Sequence, residues 1–226
     1  MSSVRAQPIS ATIRIPIPMT PTIIEQFAAE RAERTRRFYS ALTPSVANVR
    51  QAIVDMAACF AYVAEVGTSN TGYWVNRFLK DCKLAGGNPW CMAYVQWPIL
   101  YISQMWGKPD LLPYDSASTM AVFNYAEKLG ATANTLADIM LGDLIFWADG
   151  TSGKGHVGII VAIRMDAVGK LTIAVIEGNT SAASWRDGGL VAIKSYTLTA
   201  KSFAKSTTAR YVRGIVRIDA LMQKNW

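Results

Sequence analysis

Apolar residues recur at helical spacing through the first 130 positions and at strand spacing after about residue 140. The clearest helix is 45–65, where Val46, Val49, Ile53, Phe60 and Val63 share one face, Ser45 offers a cap and Gly67 a stop. Residues 22–38 also allow a helix. Pro21 stands near its start, and Arg34, Arg36 and Arg37 near its end, where cations suit the helix dipole. Residues 72–84 predict another helix, closed by Gly86-Gly87. A further one follows, with Asn88 as cap and Pro89 in its first position, carrying Trp90, Tyr94, Trp97 and Tyr101. Pro98 is expected to kink or shorten it. Residues 116–129 predict a last helix, stopped by Gly130.

From there the period becomes two. Residues 143–148, 157–163, 171–176, 190–196 and 210–218 are rich in Val and Ile and bounded by glycines or polar turns. Helices followed by a run of strands predict an α+β fold with an antiparallel sheet of about five strands. Residues 1–44 read as a basic, proline-containing N-terminal arm and 45–226 as one domain. Within the arm, ATIRIPIP at 11–18 is extended, because proline fixes φ and blocks helix. Such an arm orders only by packing on something, either a partner chain or its own domain.

Composition narrows the function. The 226 residues suit one domain with or without an arm, and 51% hydrophobic against 17% charged residues excludes a disordered chain. No stretch approaches the roughly 20 apolar residues of a membrane helix; the longest run is 57–64. Pro8, Pro16, Pro18 and Pro21 interrupt the place where a secretory signal would have its apolar core, so none is predicted. One histidine and three cysteines exclude the usual four-ligand Cys/His zinc site. No phosphate-binding glycine loop is present, and no cofactor or metal is expected. The net charge of +7 sits at the two ends: 7 basic and 3 acidic residues in 1–50, 7 basic and 1 acidic in 194–226. Cationic ends favour a polyanionic partner, or simply solubility. The basic residues are dispersed and lack the aromatic interleaving of a strand-binding groove, so nucleic acid is not expected.

The candidate chemistry begins at Cys91. In the first turn of a helix, unpaired N–H groups place partial positive charge beside the thiol and favour the thiolate. A small buried cysteine is the plainer reading, and it is the one that fits Cys59 and Cys82, which lie at helical spacing among apolar residues. His156, the chain's single histidine, stands where the glycine-rich loop 150–155 enters a strand. A hairpin centred near 166–167 places Glu177 opposite His156, close enough to fix its tautomer and stabilise its cation. Asn179 points to the same side, to orient the ring or bind substrate. A helix-start cysteine, a strand-start histidine and a facing carboxylate form the set of a cysteine amidohydrolase. Trp90, Tyr94, Trp97 and Tyr101 read mainly as core. Trp90 and Tyr73 could instead stack on substrate, and Trp185, in a polar loop, is the better candidate for such a contact.

These residues resemble the CHAP domain, a cysteine, histidine-dependent amidohydrolase/peptidase of the papain-like group. The likeness covers 45–218. It rests on Gly87-Asn88-Pro89-Trp90-Cys91 with Ala93-Tyr94-Val95, Gly142-Asp143-Leu144-Ile145-Phe146, Gly155-His156-Val157-Gly158-Ile159-Ile160-Val161 and Ile176-Glu177-Gly178-Asn179-Thr180-Ser181, in that order. The loop Gly67 to Gly72 is similar to one in phage-type members. The resemblance implies a papain-like α+β fold whose N-terminal helices carry the nucleophile against the sheet. It implies that Cys91 attacks a carbonyl, that His156 moves the proton, that Glu177 orients His156, and that Asn179 lines the site. Met92 stands where a small residue is usual and is expected to reshape the cleft. Leu141 replaces a common proline with little expected consequence. Ala85 stands where papain-like proteases place an oxyanion glutamine, which leaves the backbone N–H of Cys91 as one donor.

The function so implied is hydrolysis of a peptidoglycan amide bond, as an N-acetylmuramoyl-L-alanine amidase or a peptide-stem or cross-bridge endopeptidase. The expected setting is a phage virion-associated lysin, docked to virion or tail partner chains through 1–44. Its place would be the virion, or host cytoplasm before release. The competing readings are a structural virion protein using a CHAP-like scaffold, and a free endolysin or exported effector. A protease acting on other proteins is a further alternative.

Overall fold

The computed structural model describes residues 21–226, apart from 68, 168–169, 182–183 and 185–186. Five helices precede the sheet: α1 (Pro21–Ser40), α2 (Val46–Ala58), α3 (Tyr73–Asp81), α4 (Cys91–Met105) and α5 (Thr119–Lys128). The strands are β1 (Thr132–Ala133), β2 (Leu144–Asp149), β3 (Gly155–Met165), β4 (Leu171–Thr180), β5 (Leu190–Leu198) and β6 (Arg210–Val216). A short helix α6 (Ile218–Asn225), which the periodicity did not signal, follows. The six strands form one antiparallel sheet in the order β1-β6-β2-β3-β4-β5. The fold is α+β. The expected five strands are all present, and the sixth is β1, a two-residue edge strand too short to leave an alternation pattern.

Strand alternation sorts the sheet residues into two cores. Leu144, Phe146, Val157, Ile159 and Ile176 join the helices in the main core. Ile145, Trp147, Ile160, Val175 and Val212 form a smaller apolar cluster on the other side. The main core is rich in aromatic rings. Phe60 meets Trp74 and Trp97 edge-on, each at 4.7 Å between ring centroids, a geometry favoured by the ring quadrupole.

Three helix expectations are corrected. α2 starts where Ser45 accepts from the Asn48 N–H, but it ends at Ala58 rather than Glu65. The chain turns through Tyr62 at φ 71 and then pairs with the start of β5: Tyr62 N–H to Val191 O, Glu65 N–H to Gly189 O, and Ala64 beside Leu190. Pairing with a strand edge outweighs helical spacing there. α4 begins at Cys91, not Pro89; the Asn88 amide donates to Ala85 O instead of capping. α4 also runs through Pro98 to Met105 and is not shortened.

α1 packs on the domain. Ala28, Ala32 and Tyr39 are buried. Arg31 donates to Cys59 O at 2.6 Å, Trp74 to Glu25 O at 3.2 Å, and the Tyr39 hydroxyl to Asp55 at 2.5 Å. Of the two ways an arm could order, residues 21–40 take packing on their own chain. The extended segment 11–18 lies outside the described residues. No helix among the described residues is long and apolar enough to cross a membrane.

A buried ionic knot joins the layers. Asp143, fully buried just before β2, accepts from Arg50 of α2 and from the backbone N–H groups of Met140 and Ile218. Arg50 also donates to Asp219 of α6 at 2.8 Å and to Leu141 O at 2.8 Å. Burial pushes the Asp143 carboxyl up to about 6, against the pull of Arg50 and of those N–H groups. Removing one partner of such a pair strands the other charge in the interior. Arg50→Met is therefore expected to cost about 3 kcal/mol or more in urea unfolding. An unchanged unfolding midpoint would show that the knot adds nothing.

Candidate active site

Cys91 opens α4 and is 5% exposed. The unpaired N–H groups of the first helical turn surround its position with partial positive charge. What brings this turn to the sheet is Gly178 on β4. A Cβ there would lie 2.7 Å from Tyr94 Cβ and 2.8 Å from Trp90 Cζ3, so only glycine lets α4 sit directly on the strand backbone. Trp90 is fully buried, stacked near Phe78 at 6.3 Å, with its indole N–H donated to Glu65 at 2.9 Å. That corrects its reading as a substrate platform: Trp90 is packing beside Cys91. Met92 is buried as well and fills core rather than cleft.

His156 and Glu177 are both fully buried, with Nε2 and Oε2 3.0 Å apart. Their contact does not arise as expected. Met165 pairs with Leu171 and, past an irregularity between Ile160 and Ala162, Ile159 pairs with Ile176. Glu177 therefore lies beside Gly158, and His156 is its diagonal neighbour on the same face. Diagonal positions are roughly 7–8 Å apart, within reach of a long side chain. Gly158 leaves the space to cross. A Cβ on it would lie 2.8 Å from Glu177 Cγ and 2.4 Å from Val175 Cγ1.

Cys91 acts electrostatically on the imidazole. Burial alone would suppress the imidazolium, but hydrogen bonds and charge from Cys91 and Glu177 override it and raise His156 from 6.5 to about 9. The folded state thus binds the proton more tightly than the unfolded chain. The stabilisation is complete below about 6.5 and is lost as pH climbs to about 9.

The sequence reading missed the groups that enclose this pair. Trp147 of β2 stacks on His156 at 5.9 Å and 30°. Tyr196 of β5 donates its hydroxyl to Glu177 Oε1 at 2.6 Å. Lys194 Nζ is 3.9 Å from Glu177 Oε2 and donates to Ser184 O. Arg210 of β6 lies over the Trp147 and Tyr196 rings at 5.7 and 5.4 Å. Alternation puts Lys194 and Tyr196 on one side of β5, but only the register between β4 and β5 shows that this side is Glu177's.

The other expected residues divide. Asn179 is buried at φ 56, and its Oδ1 has no hydrogen-bond partner among the described residues. Tyr73 is 61% exposed at the start of α3, edge-on to Trp74. It borders a shallow pocket with Asn76, Arg77, Lys80 and Asp81, apart from the Cys91 group. Trp185 lies outside the described residues.

The crossing over Gly158 makes a direct prediction. Gly158→Ala should push Glu177 off the imidazole. The His156 titration, read by NMR on the chain's single histidine, should fall from about 9 toward 6.5. A titration equal to wild type in the folded variant would show that the gap at 158 does not hold the pair.

Residues 83–179 match the family model of the CHAP domain, a span that contains Cys91, His156, Glu177 and Asn179. A search of curated proteins and one of solved structures returned no match. Over those residues the chain is similar to the CHAP domain, a family of cysteine, histidine-dependent amidohydrolases/peptidases that act on peptidoglycan.

Proposed function

We propose that Cys91, His156 and Glu177 hydrolyse an amide bond of peptidoglycan through a covalent acyl-enzyme. The observation that carries this is the buried 3.0 Å contact of His156 with Glu177, with the helix-start thiol of Cys91 acting on the same imidazole. With Nε2 on Glu177, exchange with the sulfur falls to Nδ1. The thiol proton resides on His156 as the imidazolium, and the thiolate so formed adds to the amide carbonyl carbon. The oxyanion that forms lies by the first-turn N–H groups of α4. Collapse breaks the C–N bond, and His156 delivers its proton to the leaving amine. Water then adds to the thioester with His156 as base. The thiolate leaves, releasing a carboxylate end.

Glu177 stabilises the imidazolium at both stages. The cleaved bond is the muramoyl–L-alanine amide or a peptide bond of the stem or cross-bridge. We place the enzyme in a phage particle, docked on a partner chain through residues 1–44. The support is the outer face of α1, where Ile23, Phe27 and Phe38 remain 40%, 49% and 63% exposed. Phe27→Ser with Phe38→Ser should release the protein from particles without slowing wall hydrolysis. Retention on the particle would remove that role from α1.

The test of the chemistry is digestion of purified peptidoglycan, with released fragments weighed by mass spectrometry. Wild type should release fragments whose masses identify the bond. Cys91→Ala should release none above background, and Glu177→Gln should be slower by up to about 10⁴-fold. Release by Cys91→Ala at the wild-type rate overturns the proposal. The raised His156 titration sets the pH dependence: hydrolysis should decline as pH passes about 9, where the imidazolium that protonates the amine is lost. A profile still rising beyond that point would contradict this role.

A further inference from the structure

We infer that Tyr196 is a positioning residue for the Cys91–His156–Glu177 group, holding Glu177 negative and turned toward the imidazole. The inference rests on the reading of those three as the reacting set. Glu177 has no solvent exposure, so its two oxygens must be satisfied by protein groups. Oε2 faces His156 at 3.0 Å, and Oε1 receives the Tyr196 hydroxyl at 2.6 Å. The hydroxyl bond is short and charge-assisted, the stronger class of hydrogen bond. The two contacts fix both the position and the rotation of the carboxylate.

Tyr196 serves Glu177 as a donor. Burial, followed by the neighbouring negative charge and hydrogen bond of Glu177, pushes its hydroxyl well above the ordinary tyrosine range, outweighing Arg210. It therefore keeps its proton throughout the range in which His156 titrates. Its ring is held in place by Trp147, 4.9 Å away at a tilt of 46°, and by the Arg210 guanidinium over its face. Trp147 in turn stacks on His156, so one aromatic side chain touches both His156 and Tyr196.

The titratable and charged groups around the pair come from four elements. Cys91 comes from α4, His156 from β3, Lys194 and Tyr196 from β5, and Arg210 from β6. Among the described residues, Lys194 is the other donor near Glu177, and at 3.9 Å it is beyond hydrogen-bond distance. Losing the Tyr196 hydroxyl leaves Oε1 buried without a donor among the described residues. The negative charge is then less stable, and so is the imidazolium that depends on it.

The test uses the full, untagged chain, so that His156 stays the single histidine. Tyr196→Phe keeps the ring and removes only the oxygen. The His156 titration should fall by about one pH unit. The kcat for wall hydrolysis should drop about tenfold with KM little changed, as expected when an interaction serves the transition state. Thermal melting should move far less than in the Arg50→Met variant.

Glu177→Gln separates the two levels of the argument. If it lowers the titration while Tyr196→Phe leaves both titration and kcat at wild-type values, Tyr196 is packing only and this inference falls alone. If neither Glu177→Gln nor Cys91→Ala affects hydrolysis, the reacting set is wrong and the inference falls with it. A second measurement avoids variants that fail to fold. In wild type labelled with ¹³C at tyrosine Cζ, the Tyr196 signal should stay that of a neutral phenol and shift in step with His156. A Tyr196 signal that ignores the His156 titration overturns the inference.

Discussion

A carboxylate and an imidazole with no access to water are costly to bury, and the site depends on keeping that cost met. Each ion alone would lose several kcal/mol of solvation. Together they share a 3.0 Å contact, and the second oxygen of the carboxylate receives the Tyr196 hydroxyl. Trp147 and Arg210 close the space around them and exclude water. In such surroundings the imidazolium persists to higher pH than an exposed histidine, which a base that must also act as an acid requires. The same burial makes the group unforgiving, because any unmet oxygen or nitrogen has no solvent to turn to.

The architecture serves this pair by close approach. Gly178 brings the first turn of α4 onto β4, and Gly158 lets Glu177 reach across β3. Neither glycine touches substrate in this account. Each is needed because a methyl group would separate two of the three reacting side chains. The Arg50–Asp143–Asp219 knot works at larger scale. It ties α2, the start of β2 and α6 into one unit, and this fixes the sheet that carries His156. The Gly142-Asp143 motif is thus structural, although it lies in sequence among motifs that carry chemistry.

Much of this was legible in the sequence. The period change near residue 140 located the sheet, and the order of helices before strands gave an α+β class. Cys91, His156 and Glu177 were singled out from a helix start, a strand start and a hairpin. What failed was detail set by tertiary contacts. The register between β3 and β4 slips at an irregularity that no local composition announces, so His156 and Glu177 meet diagonally rather than face to face. Residues 62–65 continue a helically spaced stretch yet pair with the start of β5. Trp90 looked available beside the nucleophile, but the helix buries it. Tyr196, Lys194, Trp147 and Arg210 are ordinary strand residues until the five strands β6-β2-β3-β4-β5 are placed side by side, so their roles needed the fold.

The central claim is that the amide carbonyl passes onto the Cys91 sulfur before water reaches it. Hydroxylamine added during peptidoglycan digestion tests this most directly, because it competes with water for a thioester. The account predicts that the newly formed carboxyl ends appear increasingly as hydroxamates, while release of the amine fragment is not slowed. Carboxylate as the sole acyl product at every hydroxylamine concentration would contradict a covalent intermediate, and with it the role assigned to Cys91.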